Sequence, residues 1–95
     1  MNKKVENKIS KEKIEKYLNL TKKALKMCKK SIIKKEEAKE IIEMVENYLS
    51  DSEYFEKKGH YVNSFAAINY AHGWLDAGVR LGIFDIKDNQ LFTIK

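Results

Sequence analysis

The sequence predicts an all-α protein: an up-and-down antiparallel three-helix bundle with a short C-terminal extended or hairpin-like tail. Three observations carry this expectation. Apolar residues recur at steps of three and four through two long segments. A third segment, 60–82, gathers the only tryptophan, the only arginine, both histidines and three of the four glycines. Proline is absent, so no residue type in the chain forces a helix to break.

The chain divides into an arm over residues 1–9, a bundle over 10–82 and a tail over 83–95. The arm is polar and aperiodic, as frayed termini are. Ser10 then stands where a side-chain oxygen caps a helix over 11–30. Ile14, Tyr17, Leu18, Thr21, Ala24, Leu25 and Cys28 fall on one stripe of that helix. Lys22, Lys23, Lys26, Lys29 and Lys30 crowd its C-terminal half, where positive charge complements the helix dipole. Residues 31–35 break the pattern. A second helix over 35–58 carries Ala38, Ile41, Ile42, Val45, Tyr48, Leu49, Ser52 and Phe55 inward. Gly59 ends it at the position that favours positive φ.

The third helix, over 60–81, differs in character. One row runs through Tyr61, Phe65, Ile68, His72, Leu75 and Val79, and the next through Val62, Ala66, Asn69, Gly73, Asp76 and Arg80. Glycine inside a helix costs about 1 kcal/mol relative to alanine. Gly73 and Gly78 therefore predict close approach by a neighbouring helix, with the third helix central and buried on most of its circumference. After Gly82 the period falls towards two. Ile83, Phe84, Ile86, Leu91, Phe92 and Ile94, around a turn at 87–90, predict a short hairpin or extended tail. Three helical stripes already fill a core, so the tail is expected either to cover the bundle beside Trp74 or to dock on a second chain.

Composition narrows the function classes. The chain has 95 residues, 43% of them hydrophobic, which suits one domain with a modest core. No apolar run approaches the roughly 20 residues that span a bilayer, and residues 1–10 lack the apolar stretch of a secretory signal. Cys28 is the single cysteine, which excludes an internal disulfide and a cysteine-rich zinc site. A cytoplasmic location is expected, with no membrane association. Charge is segregated. Residues 1–35 hold thirteen lysines against three glutamates, net +10. Residues 36–58 hold three lysines against eight acids, net −5. Two adjacent helices of opposite sign are expected to attract and pack antiparallel.

The run over 51–85, DSEYFEKKGHYVNSFAAINYAHGWLDAGVRLGIFD, resembles the archaeal family known as domain of unknown function 357. The resemblance rests on Tyr54-Phe55, on the turn Gly59-His60-Tyr61, and on the run from Tyr70 to Gly78 that continues into Arg80, Leu81 and Gly82. His60 stands where the family usually has aspartate. The resemblance implies a compact up-and-down three-helix bundle and no established activity.

Candidate binding residues lie on the third helix. Asn69, His72, Asp76 and Arg80 step by three and four along one face, and Tyr70 and Trp74 form an aromatic pair one turn apart. One reading makes the polar row a small anionic-ligand or nucleotide-related site, with Arg80 as a bidentate clamp and His72 as donor. The other makes it a buried structural network. One histidine and one carboxylate are too few for zinc, no glycine-rich phosphate loop follows a strand, and Cys28 on an apolar stripe is an inert thiol. No catalytic residue, metal or cofactor is therefore assigned. The leading expectation is a non-enzymatic protein-interaction or regulatory module, with a protein partner or self-association through the tail. Weak nucleic-acid binding by the lysine-rich first helix is the alternative; lysine without arginine favours sequence-blind contact.

Overall fold

The computed structural model describes residues 8–88 and 91–92. It holds three helices, α1 (Lys11–Lys29), α2 (Lys35–Lys57) and α3 (Tyr61–Arg80). Their ends fall within one residue of the expected ones, and each end has a local cause. Ser10 is extended, and its hydroxyl accepts the Lys13 N–H at 3.1 Å. Glu36 and Glu37 occupy the first turn of α2, beside its unsatisfied amides. Gly59 leaves α2 at φ +80°. Its N–H bonds to the Glu56 carbonyl and that of His60 to Phe55, which satisfies two carbonyls of the last turn. Gly82, at φ +77°, closes α3 in the same way, with Ile83 N–H reaching the Gly78 carbonyl at 2.8 Å.

α3 packs against both other helices, whereas α1 and α2 meet each other only lightly. The expected stripes of α1 and α2 are the ones buried: Ile14, Leu18, Ala24, Leu25 and Cys28 from α1, with Ala38, Ile41, Val45 and Leu49 from α2. Ile68, Ala71, Leu75 and Val79 meet them from α3. The anticipated attraction between α1 and α2 is present as two ion pairs, Lys22–Glu53 and Lys29–Glu46, each at 2.7 Å. Seven residues forward on α1 match seven residues back on α2, so the pair is antiparallel. Both bridges are about half exposed, and such pairs contribute roughly 0.2–1 kcal/mol. Burial on α3 therefore sets the arrangement, and the two bridges match the antiparallel register that it produces.

Three expectations need correction. α3 is not buried around most of its circumference: Val62, Ala66, Asn69 and Gly73 face solvent. Gly73 meets no neighbouring helix, because an added Cβ there would find nothing within 4 Å. Gly78 does receive a close neighbour, but the nearest atoms come from the tail. A Cβ on Gly78 would lie 2.5 Å from Phe84 Cε2 and 3.2 Å from Ile41 Cδ1. Of the two places expected for the tail, the described part takes the one on the bundle, where it enters the core rather than only covering it. Ile83, Phe84 and Phe92 are buried in the same core, Phe84 at 1% exposure. Three helices leave the end of the α2–α3 contact open at a residue with no side chain, and an aromatic ring fills it.

Residues 83–85 form no hairpin with 91–92. Phe84 instead makes a single antiparallel bridge with Ile32 in the α1–α2 link. Ile33 N–H donates to the Ile83 carbonyl at 2.9 Å, and Asp85 N–H to the Ser31 carbonyl at 2.8 Å. The second half of the expected turn, 89–90, residues 93–95 and residues 1–7 of the expected arm lie outside the described residues. Ile9, assigned to that arm from the sequence, packs against the core.

One buried polar contact joins α2 to α3. Ser64 donates to the Ser52 carbonyl at 2.8 Å, which leaves the Ser52 hydroxyl to donate to Ser64 Oγ at 2.9 Å. Both hydroxyls are thereby satisfied at zero exposure. Among the described residues, no helix is long and apolar enough to cross a membrane.

The two helical glycines should respond oppositely to alanine. Gly73→Ala should stabilise by about 0.5–1 kcal/mol, since it adds helix propensity in open space. Gly78→Ala should cost about 1–3 kcal/mol by pushing against Phe84. Urea unfolding of both variants measures the difference. Equal responses would contradict this account of the tail.

Candidate functional site

α3 has a concavity on either side. The first, of about 320 Å³, lies between α1 and α3 and is lined by Tyr17, Leu20, Thr21, Ile68, Asn69, His72, Gly73, Asp76 and Leu91. Three members of the expected polar row, Asn69, His72 and Asp76, come together there. Arg80 does not line it; it stands exposed in the last turn of α3.

His72 is held on both sides of its ring. Nε2 lies 2.6 Å from the Leu91 carbonyl and Nδ1 lies 2.9 Å from Thr21 Oγ1. A carbonyl only accepts, so Nε2 carries the proton, and in the neutral ring Nδ1 accepts from the Thr21 hydroxyl. Phe92 stacks on the imidazole, centroids 6.1 Å apart. His72 thus ties residues 91–92 to α1 and α3. Both of its polar atoms are engaged, and the groove also carries the Asp76 carboxylate. An anion entering here would meet a carboxylate and would find no guanidinium among the lining residues. Among the described residues, no three His, Cys, Asp or Glu side chains are grouped to hold a metal ion.

Cys28, buried on α1, has a displaced titration. Burial pushes its thiol up from the ordinary 9.0 to about 12, and the Asp76 charge adds to the effect. A thiol so placed is a packing group.

The second concavity, of about 550 Å³, lies between α2 and α3. Its walls carry Ile41, Met44, Trp74, Ala77, Leu81 and Ile83, and its α2 edge carries Glu37, Glu40, Glu43 and Asn47. A smaller hollow formed by Asn69, Tyr70, Gly73, Trp74 and Ala77 shares two of its residues and extends it along α3. Tyr70 stands edge-on to Tyr48, centroids 4.7 Å apart, and edge-on to Trp74 at 6.4 Å. The aromatic pair singled out in the sequence therefore belongs to this groove, on the other side of α3 from His72.

Sequence reasoning did not single out Met44 or Leu81, whereas Ile83 belongs to the tail that was expected to cover the bundle beside Trp74 or to dock on a second chain. A partial signal was present. Glu37, Glu40 and Glu43 step by three beside Ile41 and Met44, marking a second face of α2 next to its core stripe. Nothing local showed that Ile83 would fold back onto it.

The molecule is a helical-bundle protein whose concavities are built on helix faces rather than on loops. A family model described as "Protein of unknown function (DUF357)" matches residues 16–84. The chain belongs to that family. No curated protein and no solved structure matches it.

The Cys28 environment predicts a pH response. Between about pH 9 and 12 the unfolded thiol has released its proton while the folded one keeps it, so the unfolded chain binds fewer protons and stability falls as pH rises. The loss attributable to Cys28 is about 1.4 kcal/mol per pH unit in that window. Urea unfolding at pH 9 and 10 should show a steeper loss for the wild type than for Cys28→Ala. Equal slopes would count against the buried thiol as the cause.

Proposed function

We propose that the chain is a non-enzymatic protein-interaction module of the cytoplasm, with the α2–α3 groove around Trp74 as its docking surface. The observation that carries this reading is the continuity of exposed apolar side chains along one concavity. Leu81 is 67% exposed and Tyr70 54% exposed, at opposite ends of a strip that passes through Trp74 and Ala77. Large apolar groups left bare along a groove are a mark of an interface. Tryptophan, tyrosine and methionine are the residue types enriched in interface cores. The tail takes part by supplying Ile83 to the groove wall.

The α1–α3 side supports a ligand site less well. His72 spends both nitrogens on Thr21 and Leu91, and Arg80 is absent from that lining. Nucleic-acid binding through α1 is also less well supported, because Lys22 and Lys29 are engaged by glutamates of α2.

Face-specific crosslinking tests the reading. With the photoreactive residue benzoylphenylalanine in place of Leu81, irradiation in a lysate of the source cells should give a discrete adduct. The same residue in place of Lys23, on the outer face of α1, should give none. Leu81→Asp should weaken the captured complex at least about tenfold, or about 1.4 kcal/mol, without lowering the melting temperature. Equal adducts from both positions, or none from Leu81, would overturn it.

A further inference from the structure

The groove is acidic along its α2 edge, where its glutamates border Lys35 and Lys39 on the outer side of the helix. Glu37, Glu40 and Glu43 rise along α2 beside Met44 and Trp74, and none of its lining residues is lysine or arginine. A surface that buries apolar groups under a row of carboxylates selects its occupant by charge: nucleic acid and anionic lipid are repelled, and cationic groups are attracted.

The molecule itself shows what such an occupant looks like. α1 is an amphipathic, lysine-rich helix received by α2 and α3 on their other side. It buries Ile14, Leu18 and Leu25 in the core. It places Lys22 and Lys29 at 2.7 Å from Glu53 and Glu46 of α2. The Trp74 groove repeats these terms on the opposite side of the helix pair. Its strip from Tyr70 to Leu81, the residue that follows α3, covers eleven residue steps, roughly 16 Å at 1.5 Å per residue, the length of three helical turns. A helix laid there would convert the three-helix bundle into four, with apolar side chains on Met44, Trp74 and Leu81 and basic ones along the glutamates.

We infer that the partner docks a lysine- or arginine-rich amphipathic helix of about three turns into the α2–α3 groove. This rests on the reading of that groove as the docking surface and adds the chemistry of its occupant. A second copy of the chain is a poorer fit. Its own basic helix, α1, has its apolar stripe buried at home, so only exchange of α1 between copies would present it.

Trp74 is the single tryptophan and lines the groove, so the folded protein carries its own reporter. The probe is a tryptophan-free 14-residue helical peptide of leucine and lysine, with the leucines on one face. Its controls are the same pattern with glutamate for lysine, and a scrambled leucine–lysine peptide with no apolar face. The leucine–lysine helix should shift Trp74 emission to the blue and saturate. The glutamate and scrambled peptides should bind at least about tenfold more weakly. The exposed charge reversals Glu40→Lys and Glu43→Lys, beyond the first turn of α2, combined, should weaken the leucine–lysine helix by at least about the same factor while far-UV circular dichroism and melting temperature hold. Affinity of the wild type should fall as salt rises.

Equal binding of the glutamate or scrambled peptide, or undiminished binding to the charge-reversed variant, would overturn the inference. So would a Trp74 shift that accompanies doubling of the protein mass in light scattering, which would mean exchanged copies. If basic helices fail while the Leu81 crosslink succeeds, the partner chemistry is wrong and the docking surface stands. If both fail, the surface itself is refuted.

Discussion

Phe84 seated over Gly78 is the contact on which the arrangement depends. Its ring enters the core where α3 has no side chain and α2 offers Ile41. That placement draws the chain after α3 back across the bundle, so the amides of Ile33 and Asp85 pair with the carbonyls of Ile83 and Ser31. The α1–α2 link, which has no regular structure of its own, is thereby held by the tail. The same turn delivers Ile83 to the wall of the Trp74 groove. One missing Cβ thus connects the core, the link and the proposed docking surface.

α3 serves as a shared wall with two unlike faces. On the α1 side, His72 bridges Thr21 and the Leu91 carbonyl, and Phe92 closes over the ring. Polar atoms there are consumed in holding the chain together. On the α2 side, Tyr48, Tyr70 and Trp74 stack edge to face, and their apolar surface remains partly bare. An engaged polar cluster stabilises the fold, whereas an exposed apolar groove has burial free energy still to gain from a partner. That contrast directs the functional reading to Trp74 rather than His72.

Charge has a secondary and distinct part. Two lysines of α1 and two glutamates of α2 meet in half-exposed bridges consistent with the antiparallel register. Three further α2 acids, Glu37, Glu40 and Glu43, line the Trp74 groove and give it its polarity. Both follow from one acidic helix that presents carboxylates on either side of its apolar stripe.

The sequence by itself determined the three helices to within a residue, the stripes of α1 and α2, the Ser10 cap and the left-handed Gly59. These are decided within a few residues of backbone, by 3.6-residue periodicity and terminal hydrogen bonding. It also marked His72, Trp74 and Tyr70 as unlike their surroundings. Helical spacing already sets His72 and Trp74 on opposite sides of α3, but only the tertiary structure decided what covers each side, that Arg80 does not line the hollow shared by Asn69, His72 and Asp76, and that Gly78 rather than Gly73 is the crowded glycine. It alone brought Ile83 beside Met44 and Phe84 beside Ile32. Those outcomes depend on which face of each helix is covered and on contacts between residues tens of positions apart. Local periodicity carries the rotation of a helix but not the identity of what packs against it.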